Sequence, residues 1–203
     1  MEATEIAEHI HEHGTGHHHL SVDAFRRLAA VYLGVTAMLL AIATLGGGNA
    51  TKEMLSANIH ASDTYAFYQA KYLRQIYLQT TADLLEMQMS AGTLPAVETA
   101  KATALVKRYR DTAARYESEP ATGDGKKELL AKAKEWEAIR AHATAQNPNF
   151  EFAEALFQIA IVLGSVAIVA GSWWLLGLSG ILSILASLLT VNGFFLLVQL
   201  PHH

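Results

Sequence analysis

Three stretches of this chain contain no Asp, Glu, Lys or Arg and are apolar almost throughout: residues 28–45 (LAAVYLGVTAMLLAIATL), 155–176 (ALFQIAIVLGSVAIVAGSWWLL) and 178–200 (LSGILSILASLLTVNGFFLLVQL). About 20 such residues in a helix rising 1.5 Å each cross the roughly 30 Å hydrocarbon core of a bilayer. Buried core helices of a soluble domain are the competing reading, but they rarely run this long without a charge. The spacing therefore predicts three transmembrane helices. The first run follows Arg26 and Arg27 and precedes TLGGGNA, so it also has features of a secretory leader. Its length favours a retained anchor, since a leader's apolar region is usually about 7–15 residues.

The rest of the chain is organised around those runs. Residues 1–27 form a polar arm. Residues 28–45 are the first membrane helix, and Gly46, Gly47 and Gly48 are expected to end it in a flexible or sharply turned exit. Residues 46–150 are rich in Ala, Lys, Glu, Arg and Gln and lack strand-like alternation, which predicts a helical hairpin or coiled-coil-like middle region. SAGTLP breaks it once, with Thr93 the expected N-cap and Pro95 in the first turn of the next helix, and SEPATGDG breaks it again. A further helix should stop at NPNF, near Gln146. Residues 151–177 and 178–200 form a membrane hairpin turned at GLSG, and 201–203 are a tail. The fold class is thus an all-α membrane protein with one N-terminal span, a helical extramembrane region and a C-terminal two-span hairpin.

Composition narrows function mainly by exclusion. There is no cysteine, hence no disulfide, thiolate nucleophile or cysteine metal site. A formal charge of −4 and the lack of any basic cluster interleaved with aromatics argue against a nucleic-acid partner. No Gly-rich phosphate loop is present, and the E-x-x-H pair at Glu8 and His11 lacks the second copy that a carboxylate di-metal bundle needs. The chain is read as non-catalytic, with no cofactor required.

The densest group of reactive side chains is ANIHASDTYAFYQAKYL, residues 57–73. Tyr65, Tyr68, Tyr72 and Ile76 fall at i, i+3, i+7 and i+11, a single stripe at helical period, and Leu55, Ile59, Ala66, Leu73 and Ile76 run beside it. Acid and base chemistry needs groups converging on one small volume, whereas Asp63 and Lys71 on one helix are about 12 Å apart by rise alone. The stripe reads better as an association seam made of Asp63, Tyr65, Tyr68, Gln69, Lys71, Tyr72 and Ile76. In it the tyrosines supply contact area and the isolated polar groups fix register. The partner is a second copy of the chain, or a larger membrane complex, in addition to the bilayer itself.

Two further groups carry secondary expectations. His9, His11, His13, His17, His18 and His19 lie within eleven residues, and deprotonated they suit Zn, Cu or Ni. A metal- or pH-responsive sensor built on this arm is the alternative function. In the spans, Gly164, Gly171, Ser183 and Ser187 are small residues at spacings that permit close helix approach.

The motifs EHIHEH (8–13), ASDTYAFYQAK (61–71) and FAEALFQIAIVLGSVAI (152–168) resemble those of a bacterial family catalogued as domain of unknown function 4337. That resemblance implies the same layout of arm, single span, charged helical region and terminal hairpin, and it implies no activity. Family members tend to carry basic residues between the last two spans, where this chain has GSWWLLGLSG. Together with Arg26 and Arg27 this gives an expected orientation in a bacterial inner membrane with the arm cytoplasmic and the middle region outside.

Overall fold

A computed structural model describes residues 3–93 and 95–198, and of residues 3–22 the backbone alone. The described residues are all helical or in short connections, with no strand among them. Four helices follow in order: α1 (Ala3–Ser90), α2 (Ala96–Glu117), α3 (Lys126–Ala170) and α4 (Trp173–Phe195). The chain divides into two compact units. The first takes the residues up to Lys52 and those from Ala143 onward; the second is Glu53–His142.

In the first unit, α1, α3 and α4 pack through small residues. Ala43, Ala153, Phe157 and Ala186 form one buried cluster, and Phe25, Ala29, Ala167 and Leu176 form another. The alanines at these positions let the backbones approach closely, which is how helices associate where apolar burial gives little drive. Buried positions on α4 recur at Leu176, Ser179, Ser183, Ala186, Thr190 and Gly193. The large side chains point outward instead: Val31, Val35, Met38 and Leu45 are all more than half exposed, as are Val162, Ile181, Ile184 and Leu188. Three helices are long and apolar enough to cross a membrane.

Three expected breaks are not breaks. α1 runs straight through Gly46–Gly48, because the glycines are packing surface: a Cβ on Gly46 would lie 2.5 Å from the Phe150 ring. α3 runs through Pro148, although its ring removes the amide that would donate to the Thr144 carbonyl. Side chains on either side pin the helix there. Thr51 Oγ1 donates to Asn147 Oδ1 (3.0 Å), Asn147 Nδ2 to Glu151 (2.6 Å), and Asn192 Nδ2 on α4 to Asn149 Oδ1 (2.6 Å). The hairpin turns at Gly171–Ser172, not at GLSG, whose residues lie within α4. Gly171 takes φ +64°, and the Ser172 amide donates back to the Ala167 carbonyl at 3.1 Å, the six-to-one bond that closes a helix end. Trp173 and Trp174 therefore begin α4 instead of ending α3.

In the second unit, α2 and the start of α3 lie one after the other along α1, both antiparallel to it. Residue numbers on α1 fall as those of their partners rise, from Thr103 with Met89, through Gln75 with Ala113, to His60 with Trp136 and Asn58 with Arg140. The buried face is mostly alanine on α1 (Ala57, Ala61, Ala82), with Ala102, Val106 and Ala113 from α2 and Leu129 and Ala133 from α3. Pro95 stands at the N-cap of α2 and its carbonyl accepts the Glu98 and Thr99 amides. Thr93 does not cap α2; its hydroxyl donates to the Gln88 carbonyl at the end of α1.

Candidate functional site

The stretch that reads as one seam in sequence has two faces in the structure. Lys71 points inward and is 6% exposed. Its ammonium lies 5.1 Å from the Phe67 ring centroid and 5.6 Å from that of Tyr116, and among the described residues it has no ion-pair partner. A buried ammonium needs compensation for lost water, and here the faces of two aromatic rings provide it. One turn on, buried Gln75 spans the helix pair: its Nε2 donates to the Ala113 carbonyl at 3.0 Å and to Glu117 Oε2 at 3.1 Å.

Glu117 is the centre of this cluster. Lys126 Nζ lies 2.9 Å from its carboxylate and also 5.0 Å from the Tyr72 ring. The hydrogen bond from Lys126, and then that from Gln75, hold the Glu117 carboxyl below the ordinary carboxylate range against the opposing effect of burial. Glu128 closes the α2–α3 connection by accepting from Ser118 Oγ at 2.6 Å and the Glu119 amide at 3.2 Å, and the Ser118 bond chiefly lowers its pKa too. Tyr72 and Tyr68 stand with rings parallel, centroids 6.5 Å apart. Tyr65 is half-buried, and its pKa is raised by burial first and then by its hydrogen bond to Glu137.

The outward face holds the rest of the seam. Asp63, Gln69, Tyr72 and Ile76 are exposed, with Tyr72 at 45% and Ile76 at 40%. Asp63 and Lys71 do not meet. Asp63 instead lines an open groove of about 720 Å³ with Phe67, Gly123, Asp124, Glu128 and Lys132. Beside the tyrosines runs an exposed stripe, Leu55, Ile59, Ser62, Ala66, Gln69, Leu73 and Ile76, at alternating spacings of four and three. That is the seam pattern of a two-helix coiled coil, and nothing among the described residues covers it.

Of the small membrane residues, Gly164 makes the close approach expected of it: a Cβ there would lie 2.6 Å from Leu33. Ser183 is buried and bonded to the Tyr32 hydroxyl at 2.7 Å. Ser187 donates to the Ser183 carbonyl of its own helix, and Gly171, expected in a helix contact, has open space around it and serves the turn. The histidine side chains at 9, 11, 13, 17, 18 and 19 lie outside the described residues, as does any metal they hold. Sequence reasoning missed Tyr32, which joins Ser179 (2.8 Å) and Ser183 (2.7 Å) across α1 and α4, while Ser179 also donates to the Ala160 carbonyl of α3. A tyrosine inside an otherwise apolar run, facing two serines four apart on another run, was the available signal. It also missed Gln75.

The fold and site define an all-helical protein with three membrane-length helices and a separate helical unit whose polar groups serve helix pairing. The family described as domain of unknown function (DUF4337) matches residues 25–196, most of the chain, and the protein belongs to it. No curated protein and no solved structure matches it.

Proposed function

We propose that the chain is a multi-pass protein of the bacterial inner membrane whose role is structural or accessory, and that it associates with copies of itself through the outward face of α1. The observation that carries this reading is the exposed stripe from Leu55 to Ile76. No charged residue occupies any of its seven positions, so two identical faces meet without repulsion. Copies anchored in one membrane share an orientation, which brings like positions together: leucine on leucine, and the Gln69 amides on each other, where each can donate and accept. Residues Asn58 and Asp63 flank the stripe at positions that face across a parallel pair, so the Asp63 carboxylate of one copy meets a neutral amide of the other.

The membrane part of the reading is supported by the outward valines, leucines and isoleucines of the first unit. Only 17–28% of the most apolar window in each membrane-length helix is buried by the protein itself. Lipid is the medium that such surface suits. Arg26 and Arg27 support a cytoplasmic arm, which puts Glu53–His142 outside; a reporter inserted at Gly123 that is active only in the cytoplasm would reverse this.

The test of self-association is mass measurement in mild detergent. The protein should run at a multiple of its 22.0 kDa chain. Leu73→Lys with Ile76→Lys places like charges directly opposite each other and should return it to a single chain. A wild type that is one chain at every concentration, or a double variant that stays assembled, defeats the proposal.

A further inference from the structure

We propose that the start of α4 at Trp173 and the part of α1 packed against it around Phe25 form a binding site for the headgroup of an anionic phospholipid. This rests on the reading of the apolar helices as membrane-spanning and adds a specific lipid class to it. Phe25 is 4% exposed, and its ring meets that of Trp173 edge-on with centroids 4.6 Å apart. The contact fixes Trp173 against α1 at Phe25. Trp173 and Trp174 are nevertheless 63% and 81% exposed, and among the described residues neither indole N–H has a hydrogen-bond acceptor. An indole that is apolar over its body and polar at one edge is suited to the boundary between acyl chains and headgroups.

The two residues after Phe25 are Arg26 and Arg27, both exposed and without an ion pair among the described residues. Asp23 is the single acidic side chain nearby in sequence, so this end of the unit carries excess positive charge. A guanidinium presents paired donors that match phosphate oxygens, and the indole N–H groups add donors at the same level. A zwitterionic headgroup brings its own cation to the arginines, whereas an anionic one does not. The occupant is a lipid and not free phosphate because Leu28 (57% exposed), Val169 (88%) and Trp174 continue the site as apolar surface where acyl chains lie.

The experiment is native mass spectrometry of the full chain in mild detergent supplied with equal amounts of phosphatidylglycerol and phosphatidylcholine. The wild type should retain phosphatidylglycerol preferentially. Arg26→Gln with Arg27→Gln should cut that preference by roughly thirtyfold, the factor that two arginines near an anionic surface supply. Lys132→Gln with Lys134→Gln, exposed cations of the other unit, should leave it unchanged. Equal retention of both lipids by the wild type, or an undiminished preference in the arginine variant, overturns the proposal. A chain that stays soluble without detergent and binds neither lipid overturns the membrane reading itself, a separate outcome.

Discussion

Gly46→Ala and Gly48→Ala, two residues apart in one helix, should change stability in opposite directions. In a helix interior, glycine to alanine ordinarily gains about 0.5–1 kcal/mol, because alanine has less freedom to lose. Gly48 has nothing within 4 Å of the position its Cβ would take, so that gain should appear. At Gly46 the new methyl would sit 2.5, 2.7 and 2.9 Å from three atoms of the Phe150 ring. The ring has little room to retreat, since it also packs on Gly193, where a Cβ would lie 2.8 Å from it, and Phe150 is 1% exposed. Overpacking of this kind costs about 1–3 kcal/mol, which outweighs the propensity gain. Thermal unfolding in detergent, followed by far-ultraviolet circular dichroism, gives the comparison. Phe150→Ala alone should cost about 3–5 kcal/mol and should abolish the Gly46→Ala penalty, because the two substitutions share one contact. The reasoning fails if Gly46→Ala is as stable as wild type, or if its penalty survives the loss of the ring.

Two other consequences concern the helical unit. Lys71→Met keeps an unbranched side chain, one atom shorter, and removes a buried ammonium that has no carboxylate partner among the described residues, so stability should hold or rise by up to about 1 kcal/mol as a thioether packs against the rings; a loss above about 2 kcal/mol in chemical denaturation would show that Lys71 makes a polar contact the cage does not explain. Glu117 and Glu128 are both held below their ordinary pKa of 4.5, so their contribution is present above that value and is lost as pH falls through the lower folded values. Helicity and hydrogen-exchange protection around the α2–α3 connection should therefore fall in acid below about that ordinary value, and Glu128→Gln should flatten the response.

Much of this architecture is legible because charge and helix propensity act locally. Uncharged runs of about 20 residues read as spans whatever surrounds them, and Pro95 and Gly123 sit in real interruptions between helices. The misread positions have a common cause. Gly46–Gly48, Asn147–Pro148 and Gly177–Gly180 are all breakers by local preference, and at the first two a distant partner overrides it. Phe150 needs the bare backbone of Gly46 and Gly193, while Thr51, Asn192 and Glu151 hold the asparagines around Pro148. In the third, Ser179 is buried and bonded to Tyr32 and to the Ala160 carbonyl, which keeps GLSG helical on a packed face. Apart from Glu151, none of these partners is near in sequence, so no local rule could find them.

The central motif shows how one helix can serve two partners without conflict. Period 3.6 places Ala61, Lys71 and Gln75 on one side of α1 and Gln69, Leu73 and Ile76 on another, so adjacent residues of ASDTYAFYQAKYL answer to different neighbours. The inward side is held by geometry-dependent contacts: an ammonium over two rings, and an amide shared between a carbonyl and a carboxylate. Contacts of that kind have one good register, because sliding α1 by a turn, about 5.4 Å, would leave Gln75 and Lys71 buried without partners. The outward stripe has no polar side chains except Ser62 and Gln69, and apolar side chains alone tolerate several registers. In the proposed association, a seam between copies would take its definition from within each chain: α2 and α3 fix the rotation of α1, and that rotation sets which seven residues stand outward.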